Sequence, residues 1–338
     1  MLLAGLFLAG LFCLAVFRFD AGHLLRPETL WRKLIFPIIR TTVFISLGLL
    51  AGQLIESLGW TSKMGRLAWP LIRWARLPGE AGASFTSAFV SGVLANTMLL
   101  TSWQEGRLTR RELILTNLLN ASIPAYVLHL PSTMLIILSL TGSAGAVYVA
   151  LTFSAALIRL VGVAFLSRLI LPACEACRYE EPGRKRPFRQ VWAETWPKFK
   201  SRLKRIVIII VPVYLAVVLA AEAGLFTWLR TLLAGLAAGT VAPVETMGII
   251  IFSVAAEFTS GFAAAGALLE SGTLTVMQVV LALLIGNVVA TPIRALRHQL
   301  PNYMGIYTPK LGVWLIVLGQ SLRILSVVLV ILALVLLY

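Results

Sequence analysis

The second half of this chain repeats the first. Pro27-Glu28-Thr29 is echoed by Ala193-Glu194-Thr195, Glu56 by Glu222, and Pro78-Gly79-Glu80 by Pro243-Val244-Glu245. Gly106-x-Leu108-Thr109 pairs with Gly272-x-Leu274-Thr275, and Asn120 with Asn287. The spacing stays at 165 to 167 positions over about ninety residues. Single matches of this kind are weak; a steady register is not. In an apolar chain, two such halves are the ground plan of secondary transporters, whose sites lie between the repeats.

The chain is apolar enough for that plan to apply. Of its 338 residues 59% are hydrophobic and 13% charged, with a mean hydropathy of +0.90. A soluble domain carries about 25% charged residues. Several apolar runs exceed 18 residues, the length that crosses a bilayer. The net charge of +15 comes mostly from residues between these runs. It therefore points to anionic lipid at the cytoplasmic face and not to nucleic acid. The apolar first seventeen residues lack a basic leader and read as a retained helix. Cys174-x-x-Cys177 has no second pair or nearby histidine to complete a metal site.

Full spans are expected near 2–17, 34–54, 112–128, 145–171, 206–223, 277–292 and 311–338. Segments 81–103 and 246–268 differ: both are rich in Gly, Ala, Ser and Thr, and each follows a Pro-x-Glu. Polar backbone at membrane depth must lie inside protein or beside water, so both are read as re-entrant hairpins. Charge counting agrees. With hairpins, Lys and Arg divide 20 to 5 in favour of the cytoplasmic side, Arg294 and Arg297 included. The same topology runs span 34–54 opposite to its partner 206–223, so the repeats are inverted. Residues 60–76 interleave Trp60, Leu67, Leu71 and Trp74 with basic residues, as an interfacial helix does.

The expected fold is thus an all-α polytopic membrane protein. Its inverted repeats each hold long spans, an interfacial helix, a re-entrant hairpin and a Pro-broken helix. An N-terminal helix (1–26) precedes the first repeat (27–171), a basic cytoplasmic loop (172–192, its basic character running on to 205) and the second repeat (193–338).

Three clusters could carry chemistry. Arg159 and Arg323 lie near the centre of the last long span of each repeat. A central arginine costs about 2.5–3.5 kcal/mol on insertion scales, so each must face a partner, water or a ligand. They read either as an anion anchor or as buried partners of Glu80, Glu245 or Glu257. The hairpins supply the second cluster. Phe85-Thr86-Ser87-Ala88-Phe89 recurs as Phe258-Thr259-Ser260-Gly261-Phe262, and Ser84, Ser91 and Asn96 lie near the first copy. These polar groups face a cavity or simply join helices. Glu257 either holds Arg323 or binds a proton or cation. The third cluster is the broken helix: Asn117, Asn120 and Ser122 precede Pro124, and Asn287 and Thr291 precede Pro292. Proline leaves the carbonyl four residues earlier without its donor. No phosphate-binding loop, catalytic triad or H-E-x-x-H is present, and there are three histidines. Neither an enzyme nor a cofactor is expected.

Pro78-Gly79-Glu80-Ala81, the run from Phe85 to Asn96, and Thr291-Pro292-Ile293-Arg294-Ala295-Leu296-Arg297-His298-Gln299-Leu300-Pro301 resemble the bacterial nucleoside recognition or gate-domain membrane proteins. That group includes spore-maturation-like proteins and the gate regions of ferrous-iron transporters, and is distantly similar to concentrative nucleoside transporters. The resemblance implies an inverted-repeat bundle whose two hairpins meet at a central site, with Glu80 and Glu245 or Glu257 as hairpin carboxylates. The Gln-Thr-Glu hairpin tip of the nucleoside transporters has no copy here, and twin arginines suit an anion better than a neutral nucleoside. Together these readings predict a permease of the bacterial inner membrane for a small polar, anionic or nucleoside-like solute. The coupling ion would be a proton or sodium, and homo-oligomerisation is open. Its substrate contacts would come from Glu80, Thr86, Ser87, Asn96, Asn120, Arg159, Glu245, Glu257, Thr259, Ser260, Asn287 and Arg323. The alternative is a scaffold that binds a partner through the basic loop.

Overall fold

The structure, a computed structural model, describes residues 27–40, 60–172, 246–255 and 258–337, with isolated positions between 42 and 50 and between 196 and 232. The expected span at 2–17, part of that at 34–54, most of that at 206–223, most of the basic loop, the cysteine pair, Glu245 and Glu257 lie outside these residues. Every regular element among the described residues is helical. Among the described residues, four stretches are long and apolar enough to cross a membrane: 110–130, 136–170, 276–306 and 309–337.

In the first half, α1 (Trp60–Trp74) leads into α2 (Gly79–Ala88), α3 (Gly92–Gln104) and α4 (Arg110–Asn120). The chain then continues as α5 (Ile123–Ile170), which kinks at Gly142. There φ is 51° and ψ −122°, a conformation that glycine alone adopts readily. In the second half, α6 (Thr246–Ala255), α7 (Phe258–Glu270) and α8 (Val276–Arg294) precede a π-helical turn, Ala295–Gln299. Then come α9 (Leu300–Ile306) and α10 (Pro309–Leu337).

The expected hairpins are pairs of short helices. Helix α2 has 10 residues and α3 has 13, about 15 and 20 Å of helix, short of the ~30 Å apolar layer. Ser91 ends the turn between them by accepting the Leu94 N–H at 3.2 Å. Among the described residues, α6 and α7 pack on each other in the same way.

The repeated Gly-x-Leu-Thr is a turn built twice. Gly106 and Gly272 both adopt positive φ, 75° and 69°. Leu108 and Leu274 are both buried, and each N–H closes onto a carbonyl six residues back, Ser102 and Leu268, at 3.2 Å. Thr109 and Thr275 both cap the next helix through reciprocal bonds with Glu112 and Gln278. Nothing lies within 4 Å of a methyl group placed on either glycine, so substitution there tests backbone strain alone. Gly106→Ala and Gly272→Ala should each cost about 1–2 kcal/mol, and their melting temperatures should fall by matching amounts. A loss confined to one of them would break the equivalence of the two turns.

On α1, Leu67 is 79% exposed on the outward face, and the face packed into the protein is Gly65, Ala68 and Ile72, followed by Ala75 just past the helix. Small residues let α1 and α2 touch backbone to backbone, since a methyl group on Gly82 would lie 3.1 Å from the Gly65 Cα. The two proline breaks are unlike. The first is a true interruption at Ala121-Ser122, where Ser122 has ψ −116°. The second keeps Pro292 inside α8 and places its irregularity three residues later, in the π-helical turn. Beside it, Thr291 donates its hydroxyl to the Asn287 carbonyl at 2.7 Å.

Candidate functional site

Polar side chains gather in two knots among otherwise apolar helices. The first joins α2, α3, α4 and the end of α9. The Asn117 amide donates to Asn96 Oδ1 at 2.8 Å, and the Tyr307 hydroxyl donates to the same oxygen at 3.2 Å. Beside it, Asn120 Nδ2 donates to Ser84 Oγ at 2.8 Å, and Ser84 donates on to the Ala95 carbonyl at 3.0 Å. All five side chains are buried. Asn96 and Asn117 face each other because one lies on the inner face of α3 and the other on α4. Asn120 is the last residue of α4, and Pro124 has no N–H to offer its carbonyl. Its side-chain oxygen is also buried without a hydrogen-bond donor among the described residues.

The second knot joins α5, α8 and α10. Asn287 donates to the Tyr148 hydroxyl at 2.9 Å and accepts from Arg294 at 3.0 Å and Thr291 at 3.3 Å through Oδ1. Arg159 Nη1 donates to Ser326 Oγ at 3.2 Å, while its Nε is buried with no acceptor among the described residues. Arg323 lies on α10 one helical turn before Ser326, the residue that Arg159 meets, and Arg159, Arg294 and Arg323 stand on three helices that pack on one another.

Of the expected contact residues, Asn96 and Asn120 lie in the first knot, Asn287 lies with Tyr148 and Arg294, and Arg159 meets Ser326, one turn from Arg323. Thr86 is half-buried on α2, and Ser260 half-buried in the first turn of α7. Thr259 is placed on α7 by its backbone. Ser87 is buried within its own hairpin, donating to the Ala83 carbonyl at 2.7 Å and contacting Met98 Sδ at 3.1 Å. Glu80 is not a partner of the central arginines. It stands 4.0 Å from Arg107, itself paired with Glu105 at 2.7 Å, near the α3–α4 turn.

Arg294 was counted as a cytoplasmic loop charge. It is the last residue of α8, within the apolar stretch 276–306, and folds back onto Asn287. Its seven-residue spacing from Asn287, two helical turns, was the available signal. Tyr148 and Tyr307 had none, because a tyrosine in an apolar run reads as interface or core.

Comparison with known proteins adds relatives without a stated activity. The chain is 27% identical over 297 residues to an uncharacterized protein of Methanocaldococcus jannaschii, covering 86% of this chain and 90% of the relative. Two further uncharacterized proteins of that archaeon are each 23% identical, over 300 and 310 residues. One match covers 85% of this chain and 88% of the relative, the other 89% and 98%. No protein-family model matches the chain, and no solved structure matches it.

Proposed function

We propose that this protein is a secondary transporter for a small polar solute, embedded in a prokaryotic cytoplasmic membrane as two inverted gate-like repeats. The observation that carries the reading is that, of the four buried side-chain polar atoms without a hydrogen-bond partner among the described residues, two, Asn120 Oδ1 and Arg159 Nε, lie in the two polar knots. A finished structural core satisfies such groups, because each one left bare costs about 1–3 kcal/mol. A solute passing between the halves would complete them in turn. The short helix pairs α2–α3 and α6–α7 supply elements that can move without unthreading a span, and a proton or sodium ion would drive them. A second reading, a non-transporting scaffold, draws on the first knot, where Asn96, Asn117 and Tyr307 satisfy one another directly.

Access decides between the two. With Cys13, Cys174 and Cys177 replaced by serine, Asn120→Cys and Ser326→Cys would be challenged with a membrane-impermeant maleimide in right-side-out and inverted vesicles. Alternating access predicts labelling of both positions from both sides. Labelling from neither side would leave the scaffold.

A further inference from the structure

We propose that Arg73, Arg76 and Arg168, together with Trp74, form a seat for the headgroup of an anionic phospholipid at the corner where α1 meets the end of α5. The seat needs a chain that lies in a membrane, whether or not it transports.

Two helix ends build this corner. Helix α1 stops at Trp74 and α5 at Ile170, and Ile72, Ala75 and Leu77 pack there with Val163, Ala164 and Leu171. Three polar contacts lace the ends together. Ser167 Oγ donates to the Ala75 carbonyl at 2.8 Å, Arg168 Nη1 to the Trp74 carbonyl at 3.1 Å, and Arg76 Nη1 to the Leu171 carbonyl at 3.1 Å. The Arg168 guanidinium also lies over the Trp74 ring, 5.6 Å from its centroid. Each of these hydrogen bonds uses one guanidinium nitrogen, so Arg76 and Arg168 keep further donors for a ligand. Arg73 stands exposed in the last turn of α1, and its side chain makes no hydrogen bond or ion pair among the described residues. Nor does any described carboxylate pair with the three. Glu28 serves Arg32, Glu80 and Glu105 stand at Arg107, and Glu112 closes the Thr109 cap.

Arg76 carries a separate sign that its side chain is used. Its φ is 57°, and it is the one described residue other than glycine with a positive value. It follows the end of α1, where the Leu77 N–H reaches back to the Ile72 carbonyl at 3.0 Å, a position that glycine usually fills. An L side chain is strained in that conformation, and strain kept at one place points to a use for the side chain.

Depth and chemistry name the occupant. Arg168 lies in the last turn of the apolar stretch 136–170, so the corner falls at the level of the headgroups. Leu67 and Trp74 are exposed on α1 beside it, an apolar and an amphipathic group suited to the acyl chains and the interface. Guanidinium forks match the oxygens of a phosphodiester, and the excess of cations favours a headgroup of net negative charge. A free phosphate offers the same oxygens without the chains that Leu67 and Trp74 would meet.

The test is thermal unfolding of the full chain in neutral detergent with phosphatidylglycerol, phosphatidylcholine or glycerol 3-phosphate. Phosphatidylglycerol should raise the melting temperature by about 4 °C more than phosphatidylcholine at a hundredfold excess over Kd, while glycerol 3-phosphate leaves it unchanged. Arg73→Gln should lose at least half of that difference with its lipid-free melting temperature unchanged, since its side chain holds no other part in place. Arg76→Gly and Arg168→Gln should lose it as well. Lys310→Gln, which removes an exposed cation in the first turn of α10, should keep it. The seat is overturned if the two lipids act alike, or if Arg73→Gln responds as wild type does. It is also overturned if Lys310→Gln loses as much as Arg73→Gln, the mark of diffuse charge. A shift with glycerol 3-phosphate equal to that with phosphatidylglycerol would overturn the lipid and leave a soluble phosphate in its place.

Discussion

Replacing Gly266 with alanine should cost about 2–3 kcal/mol and lower the melting temperature by several degrees. Gly266 lies on α7 where that helix crosses α5, and an added methyl group would collide with the backbone carbonyl of Leu140. A side chain could swing away from such a contact, but a backbone oxygen moves only if the helix moves. The crossing lies in the core built by Ile137, Ala144, Tyr148, Phe262 and Ala265, so a shift of α7 would loosen all of them. Gly162→Ala is the natural comparison. It sits in the outward part of α5 with nothing within 4 Å of the added methyl, and should be neutral or stabilise by up to about 1 kcal/mol. Thermal unfolding of the two variants side by side checks this. Equal melting temperatures would mean that α7 and α5 do not meet at Gly266.

The second large effect belongs to Asn96. Asn96→Ala removes the acceptor that serves both the Asn117 amide and the Tyr307 hydroxyl, leaving two buried donors poorly matched. The expected loss is about 2–3 kcal/mol. Tyr307→Phe gives up one bond and should cost about 1 kcal/mol. In the double variant the losses should fall short of additivity by about 1 kcal/mol, because the shared oxygen is lost only once. A fully additive pair would show that the tyrosine does not bond to Asn96 in the native protein.

Much of the fold was legible because it follows from local rules. The two Gly-x-Leu-Thr segments stood out as a repeat, and the structure shows why their residue types match: positive φ, a buried anchor and a capping hydroxyl each need a particular one. Helices α5, α8 and α10 were visible as apolar runs. Their first residues were displaced by up to two positions, except in α5, where the helix extends back through Gly142 to Ile123. The kink could not be read because a glycine in an apolar helix looks the same whether it packs closely or turns the chain. The fate of Pro292 was hidden for a similar reason. Whether a proline breaks a helix or is carried along depends on where the displaced backbone finds room, here in the π-helical turn at Ala295–Gln299. Site residues divided the same way. Rare polar types in apolar runs, Arg159 and Arg323, were easy to single out, whereas which side chains they meet is decided by tertiary packing. The reading that paired Glu80 with them failed on that point, because Arg107 lies on Glu80's own side of the hairpin and reaches it first.

The duplicated turn bears on how the chain is made. Its closing hydrogen bonds, Leu108 to Ser102 and Leu274 to Leu268, span six residues, and its caps span three. Loops of this size close in well under a microsecond, whereas the ribosome adds a residue only every 50–200 ms or so. Each turn can therefore be complete before the following helix has emerged. α3–α4 and α7–α8 would then reach the insertion machinery as preformed corners. Each half would carry its own starting point for assembly, independent of the other.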